Sequence, residues 1–425
     1  MSSPSPLSVI VIGAGMVGVS AAIQLQRSGH QVTLIDREGP AGGTSFGNAG
    51  ILASSSVIPV TTPGILRKAP GMVLNPLQPL FLRWRYLPRL LPWLVPYLRH
   101  ANSDDVLRIA EALSPVIGQS LQDHQDLAAG TKAERWIKPC EYTYMFKDRS
   151  YFDADQAMWD IRRRLGFRWV EYSGDELAKQ DPFLSDSHHF AIALQDHGMI
   201  LSPGDYIADL AKVFTEKGGI LYKAKVETIV HENGKATGVR AGGETLSADR
   251  VIVAMGAWSG QLAKQLGVKV PLEAERGYHV ELWHPNKMPK NPLMVAAGKF
   301  VITPMKDRIR LAGVVEFGGL EAGPSEGPFK LLMHNVKTYL PGLTWNDETR
   351  WMGHRPAPTD SIPIISDVPG IKGVYMGFGH HHVGLTGGPK TGKLLAMLAT
   401  DTKPNLDMAA YDIRRFTKKG DDCSI

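Results

Sequence analysis

Gly13, Gly15 and Gly18, in the run Val9-Ile10-Val11-Ile12-Gly13-Ala14-Gly15-Met16-Val17-Gly18, have the types and spacing that hold a dinucleotide, and Leu34-Ile35-Asp36 completes the pattern. Gly13 allows a tight turn, Gly15 lets a pyrophosphate approach the backbone, and Gly18 lets a helix pack closely on its strand. The N-terminus of that helix offers unpaired N–H groups and a partial positive charge to the phosphates. Asp36 stands where a carboxylate accepts hydrogen bonds from the adenosine ribose. GxGxxG alone marks many ordinary turns, so the weight rests on strand, helix and acid agreeing.

Two other clusters invite chemistry. Gly387-Gly388-Pro389-Lys390-Thr391-Gly392-Lys393 satisfies G-x-x-x-x-G-K, but Leu394 follows where a P-loop needs a Mg²⁺-binding Ser or Thr, and no acidic strand comes after it. The ATPase reading is rejected. His380, His381 and His382 are consecutive, so they project in different directions, and no acidic second shell is visible nearby. No metal is expected. His188 and His189 read as loop residues.

A chain of 425 residues is too long for one compact core, and its 43% hydrophobic and 21% charged residues are those of a globular enzyme. The net charge of +5 is spread along the chain and does not call for nucleic acid. Arg162-Arg163-Arg164 and Arg414-Arg415 with Lys418-Lys419 read as solvated helix faces. Cys140 and Cys423 are the only cysteines, which excludes a disulfide framework and fits a reducing, cytoplasmic setting. The core begins by Val9 with no signal segment ahead of it. Leu80 to Leu98 is rich in Leu, Trp and Arg and broken by prolines. It reads as a broken helix packed on the second domain, or as a peripheral contact with the cytoplasmic face of the inner membrane.

Around the first βαβ unit, helical periodicity covers Val106 to Gln125 and Asp153 to Leu165. Ser202-Pro203-Gly204-Asp205 opens a helix that ends at Gly218-Gly219. Strands at Ile220–Tyr222 and Val226–Val230 lead into an Asn233-Gly234 hairpin. Val251 to Trp258 is a buried strand entering a glycine turn, Val280 to Ala312 alternates as an antiparallel sheet does, and Val374 to Thr400 returns to strand, glycine loop and helix. The expected fold class is α/β. A discontinuous Rossmann-like domain (1–62, 196–270, 346–425) is interrupted by 63–195 and 271–345, which form an α+β substrate domain built on an antiparallel sheet.

Six segments, in this order, resemble the D-amino-acid oxidase superfamily of flavoproteins: Gly13 to Gly18 with Asp36; Thr44-Ser45-Phe46-Gly47-Asn48-Ala49-Gly50; Val253-Ala254-Met255-Gly256-Ala257-Trp258-Ser259; Arg276-Gly277-Tyr278; Gly353-His354-Arg355-Pro356-Ala357-Pro358-Thr359-Asp360; and Gly377-Phe378-Gly379-His380-His381-His382-Val383-Gly384-Leu385-Thr386. The likeness spans nearly the whole chain and is nearest to the D-amino-acid dehydrogenase branch, with its D-proline and hydroxyproline dehydrogenases. It implies FAD, bound non-covalently because neither cysteine has the family's linking context. The implied contacts are Gly13, Ala14, Gly15, Met16, Val17, Gly18, Asp36 and Arg37 on the adenine half, with Val226 near the adenine. Thr44, Ser45, Asn48, Ala49, Gly50 and Ile51 lie beside the isoalloxazine, and Ala254, Gly256, Trp258 and Gly353 follow from their motifs. Gly379, His380, His381, His382, Val383, Gly384, Leu385 and Thr386 reach the pyrimidine end, where a helix opening near Pro389 favours the negative charge of reduced flavin.

The same resemblance implies a substrate clamp. Arg355 matches the arginine that binds the substrate carboxylate, a task suited to a planar, permanently charged fork. Gly353 and Pro356-Ala357-Pro358 set it in an extended turn. Tyr278 is the second candidate, as hydroxyl donor or pocket wall; on a strand it and His279 face opposite sides, so at most one meets the substrate. Arg276 is expected to be structural, and His381 is the third catalytic candidate, with one of the three histidines near the flavin. The implied reaction is oxidative deamination of a D-amino acid, of proline or hydroxyproline type among the options, in amino acid catabolism. With no second G-x-G-x-x-G and no C-x-x-C, electrons go to O₂, a quinone or a carrier protein, and the dehydrogenase likeness favours the quinone. The rival readings are a glycine- or sarcosine-type oxidase using O₂, a 2-hydroxy-acid dehydrogenase with the same clamp, and a subunit-type flavoprotein.

Overall fold

The computed structural model describes residues 5–181, 183 and 190–417. His188, His189, Lys418, Lys419 and Cys423 lie outside the described residues. A nine-stranded sheet runs in the order Glu244–Ser247, Lys235–Ala241, Ile371–Phe378, Arg250–Val253, Ser8–Ile12, Gln31–Asp36, Ile220–Lys223, with Ile364–Val368 and Val226–Glu232 pairing off this path. Its central pairs are parallel, from Ile371–Phe378 across to Ile220–Lys223. Ser8–Ile12 and Arg250–Val253 are apolar almost throughout because helices cover the sheet's faces. Helix Met16–Arg27 packs tightly on helix Gly388–Ala399: a Cβ at Gly392 would meet Ser20 Cβ at 2.5 Å. One at Gly18 would come within 1.8 Å of Gly13 O, the close helix–strand approach read from the motif.

A ten-stranded sheet forms the second unit, in the order Asp347–Pro358, Leu272–Trp283, Arg308–Phe317, Phe300–Met305, Leu293–Val295, Ile137–Phe146, Phe190–Ile200, Ile51–Leu52. Leu80–Leu82 and Trp169–Ser173 pair off that path. Sheet membership crosses three expected boundaries, the first because Ile51–Leu52, inside 1–62, pairs with Phe190–Ile200 in this sheet. Phe190–Ile200 straddles 195/196 and belongs wholly to this sheet, and Asp347–Pro358 belongs to it as well, so the last nucleotide-sheet strands begin at Ile364. Arg355 accordingly sits within a paired strand and not in a turn. Long-range register decides these points, and no local pattern encodes it.

The helix expected over Val106 to Gln125 is two, Ser103–Ile117 and Ser120–Ala128, while that over Asp153 to Leu165 is Gln156–Arg164, preceded by a short helix Arg149–Asp153. The Leu80 to Leu98 stretch folds as strand Leu80–Leu82, a 3₁₀ turn Trp84–Tyr86 and helix Leu87–Arg99. That helix buries Leu90, Trp93 and Tyr97 against the second unit, with Trp93 Nε1 donating to Ala357 O at 2.8 Å, while Leu91 and Val95 stay exposed. Among the described residues, no helix is long and apolar enough to cross a membrane.

Candidate active site

A cavity of about 900 Å³ runs from Gly13, Asp36 and Val226 to Arg355 and the three histidines. At its first end Gly13 adopts φ +105°, and a Cβ there would meet Ala254 O at 2.4 Å. Helix Met16–Arg27 begins with no acidic residue in its first turn and no cap from Gly15, so apart from the neutral Ser45 hydroxyl on Met16 N its positive end is left to a ligand. Asp36 accepts from Ala14 N at 2.8 Å through one oxygen and from Glu38 N and Gly39 N, at 2.8 and 2.9 Å, through the other. These bonds aim the carboxylate along the cavity wall and leave lone-pair capacity for ribose hydroxyls. Arg37 lies over the Trp258 ring at 4.4 Å.

Most cofactor residues expected from the sequence line this cavity. Ala14, Gly18, Gly50 and Gly379 stand behind the lining; Gly50 and Gly379 serve as left-handed turn positions, at φ +77° and +84°. Around the Thr44–Gly50 loop, Ser45 Oγ accepts from Met16 N at 3.1 Å and Thr44 Oγ1 donates to His354 O at 2.7 Å. Arg310 donates to Phe46 O and Asn48 O and pairs with Glu281 at 2.6 Å, and His279 Nδ1 lies 3.0 Å from Gly47 O. Burial pushes the Glu281 carboxyl up, but Arg310 and Arg308 outweigh it and hold it down to about 2. The Trp351 indole fills the space over Gly47 and Gly353, where a Cβ on either would come within 2.0 Å of it. A cradle with glycine where a Cβ would collide, and a helix end without a counter-charge, fits a dinucleotide.

At the other end Arg355 pairs across strands with Glu275, and its guanidinium lies on Gly277, where a Cβ would come within 2.7 Å. Burial lowers the Arg355 pKa and Glu275 raises it. Burial lifts the Glu275 carboxyl to about 7, against the pull of Arg355. Glu275 Oε2 is 3.3 Å from His381 Nδ1, without hydrogen-bond geometry. Both ring nitrogens of His381 and the Tyr97 hydroxyl are buried and lack a hydrogen-bond partner, and the two rings stack at 6.2 Å. Burial first, then Arg355, holds His381 down to about 3, so the ring is neutral. His381 also adopts φ +53°, with its N–H donating to Pro356 O at 2.8 Å. A non-glycine residue in this region is held there by its surroundings.

The other two histidines divide their tasks. His380 Nε2 is 2.8 Å from Thr391 Oγ1, which ties the glycine turn to helix Gly388–Ala399, while His382 lines the cavity, neutral, burial and its neighbours holding it to about 3. The absence of a nearby acid, inferred from local sequence, does not hold: Glu275 comes to His381 across 106 positions of chain. Among the described residues, no group of three or more His, Cys, Asp or Glu is placed to hold a metal.

Tyr278 stands apart from Arg355. Glu275, Gly277 and Arg355 share one face of the sheet, and the Tyr278 hydroxyl donates to Glu316 at 2.5 Å and accepts from Ser325 N at 3.1 Å. Its ring touches the cavity wall, but its hydroxyl is spent on Glu316, which Arg276 also pairs at 2.6 Å. Glu275 and Tyr97 are the residues that sequence reasoning missed. Local sequence carried no signal for Glu275, which has the opposite strand parity to Tyr278.

The chain matches the family described as FAD dependent oxidoreductase (DAO) over residues 8–398 and belongs to it; FAD is its cofactor and it is an oxidoreductase. A D-amino-acid oxidase of Bradyrhizobium diazoefficiens is 36% identical over 420 residues, covering 97% of this chain and 100% of the relative. A D-amino acid dehydrogenase of Allorhizobium ampelinum is 29% identical, covering 96% and 99%. The solved L-amino acid deaminase of Proteus myxofaciens superposes with a TM-score of 0.75 at 16% identity, over 98% of this chain and 95% of that one, and shares the fold.

Proposed function

We propose that this chain oxidises the α-carbon of a D-amino acid to the imino acid and passes the electrons to a quinone-type acceptor. The observation that carries the reading is Arg355 beside Glu275, Tyr97 and His381, at the far end of the cavity that starts at the Gly13–Asp36 cradle. When bound, FAD supplies the acceptor for the α-hydrogen and its electron pair. Arg355 grips both carboxylate oxygens, and the Tyr97 hydroxyl donates a further bond. Glu275, in its charged form, accepts from the substrate ammonium and takes its proton, leaving the neutral amine that reacts; a pKa near 7 suits that task. His381 stands 3.3 Å from Glu275 with both ring nitrogens open to the substrate's polar groups. The imine hydrolyses to a 2-oxo acid and ammonia, or remains cyclic from a secondary ring amine.

The D configuration is supported by the names of the curated relatives. Cys140 lies outside the cavity lining with its thiol pushed up to about 12 by burial, which supports a non-covalent cofactor. The exposed Trp84, Leu91 and Val95 stand among Arg85, Arg89 and Arg99, an apolar and basic face suited to a membrane surface where quinones reside. Anaerobic mixing of the holoenzyme with D- and L-amino acids, glycine, sarcosine and lactate, read at the oxidised-flavin band at about 450 nm, tests the reading. D-amino acids bleach the band and release ammonia or a cyclic imine. Bleaching by L-amino acids or lactate alone, or by nothing, ends it. Faster reoxidation by air than by a soluble quinone analogue would end the acceptor assignment.

A further inference from the structure

The strand register lays out what surrounds the clamp. One row across four strands reads Arg355, Glu275, Phe317, Leu82, and the next reads Gly353, Gly277, Val315, Leu80; all eight residues face the cavity. With strands roughly 5 Å apart, Phe317 stands roughly 10 Å and Leu82 roughly 15 Å along the row from Arg355. Helix Leu87–Arg99 closes over this floor with Leu90, Leu94, Tyr97 and Leu98, spaced as one helical face, and Leu90, Tyr97 and Phe317 pack in one cluster. The floor continues past the bulge near Tyr278 as Ala312, Val301 and Met294. Away from the cradle, the charged side chains lining the cavity are, among the described residues, Glu275, Arg355, Arg162 and Lys299. Arg162 donates to Ser55 O and lies over the Trp159 ring at 4.4 Å, and Lys299 donates to Gln78 at 3.1 Å.

We infer that this compartment selects amino acids with bulky apolar side chains, aromatic or long aliphatic, an inference that rests on the amino-acid reading above and deepens it. The carboxylate and ammonium are satisfied at Arg355 and Glu275. A side chain extending along the rows meets Phe317, Val315, Leu82 and Leu90, which offer no partner to a charge. A small side chain leaves that surface unfilled, and a charged one pays desolvation without compensation.

The test is kcat/KM over a panel of D-phenylalanine, D-leucine, D-methionine, D-alanine, D-glutamate and D-arginine, with calorimetric titration of the non-reacting acids 3-phenylpropionate, propionate and glutarate. Bulky apolar substrates exceed D-alanine by roughly tenfold or more, the worth of burying one large side chain, and the charged pair falls below D-alanine. 3-Phenylpropionate binds tightest of the three acids. Leu82→Glu shifts the ratio of D-arginine to D-phenylalanine upward in enzyme that retains its flavin. Preference for D-alanine, D-glutamate or D-arginine overturns the inference and leaves amino-acid oxidation standing. Bleaching by no amino acid overturns the function reading itself.

Discussion

Arg355→Met isolates the clamp. The guanidinium lies on Gly277, opposite Glu275, at the other end of the cavity from the Gly13–Asp36 cradle, so truncation leaves that cradle intact. Losing one partner of a buried, hydrogen-bonded charge pair costs about 2–5 kcal/mol, hence about 30- to 5,000-fold in kcat/KM. The loss falls on both terms, because carboxylate pairing fixes the α-carbon as well as binding it. Stopped-flow reduction under anaerobic conditions, run across substrate concentration, separates the apparent Kd from the limiting rate. Flavin content and Tm, measured alongside, show that the fold survives. Arg355→Lys keeps the charge without the fork and recovers part of the affinity but little of the limiting rate. A further signature comes from Glu275: without the attraction of Arg355 its pKa rises above about 7, so the pH dependence of reduction moves to higher pH. A kcat/KM within threefold of the parent, with full flavin occupancy, would refute the clamp.

The remaining predictions concern its neighbours. Binding of a carboxylate analogue weakens as pH rises through about 7, because Glu275 ionises beside Arg355, and Glu275→Gln flattens that titration by calorimetry. The same raised pKa means that the unfolded chain releases its proton first, near the ordinary 4.5; the stability Glu275 contributes is full below that value and is lost as pH approaches 7, a fall absent from Tm profiles of Glu275→Gln. Gly47→Ala drives a Cβ to 2.0 Å from the Trp351 ring, costs about 1–3 kcal/mol of overpacking and lowers flavin retention, and Trp351→Leu in the same chain restores it. Tyr278→Phe costs stability by about 1 kcal/mol, since Glu316 keeps Arg276, and changes KM less than twofold; a tenfold rise in KM would return Tyr278 to the substrate.

The dinucleotide cradle was legible because its parts are local. Gly13, Gly15, Gly18 and Asp36 occupy one βαβ unit, and the φ of +105° at Gly13 and the close approach of Gly18 to Gly13 O both arise within it, so spacing alone carried it. The Asn233-Gly234 hairpin was legible for the same reason, both residues taking the positive φ that a two-residue turn demands. The domain crossings and the split helices were less so. Gly118 and Gln119 divide a segment whose apolar period runs on, and strand Asp347–Pro358 joins its sheet by pairing with Leu272–Trp283, some seventy positions earlier.

The substrate end shows where periodicity stops being informative. Strand Leu272–Trp283 is buried on both faces from Glu273 to Leu282, so the alternation that distinguishes inner from outer side chains is absent. Tyr278 and Glu275 then look equally eligible from sequence, although their parity places them on opposite faces. The register with Asp347–Pro358 breaks the tie, because it sets Glu275 opposite Arg355 and leaves Tyr278 to Glu316. Burial lifts the Glu275 carboxyl to about 7 against the pull of Arg355, so below that pH it is tolerated there as a neutral acid. Helix packing, acting at a comparable distance, brings in Tyr97, whose unpaired hydroxyl and stack on His381 complete the polar end. The chemistry is thus assembled from one sheet register and one helix contact, and a change that shifts either, such as deletion of Ala274, would remove activity while keeping every motif residue in the sequence.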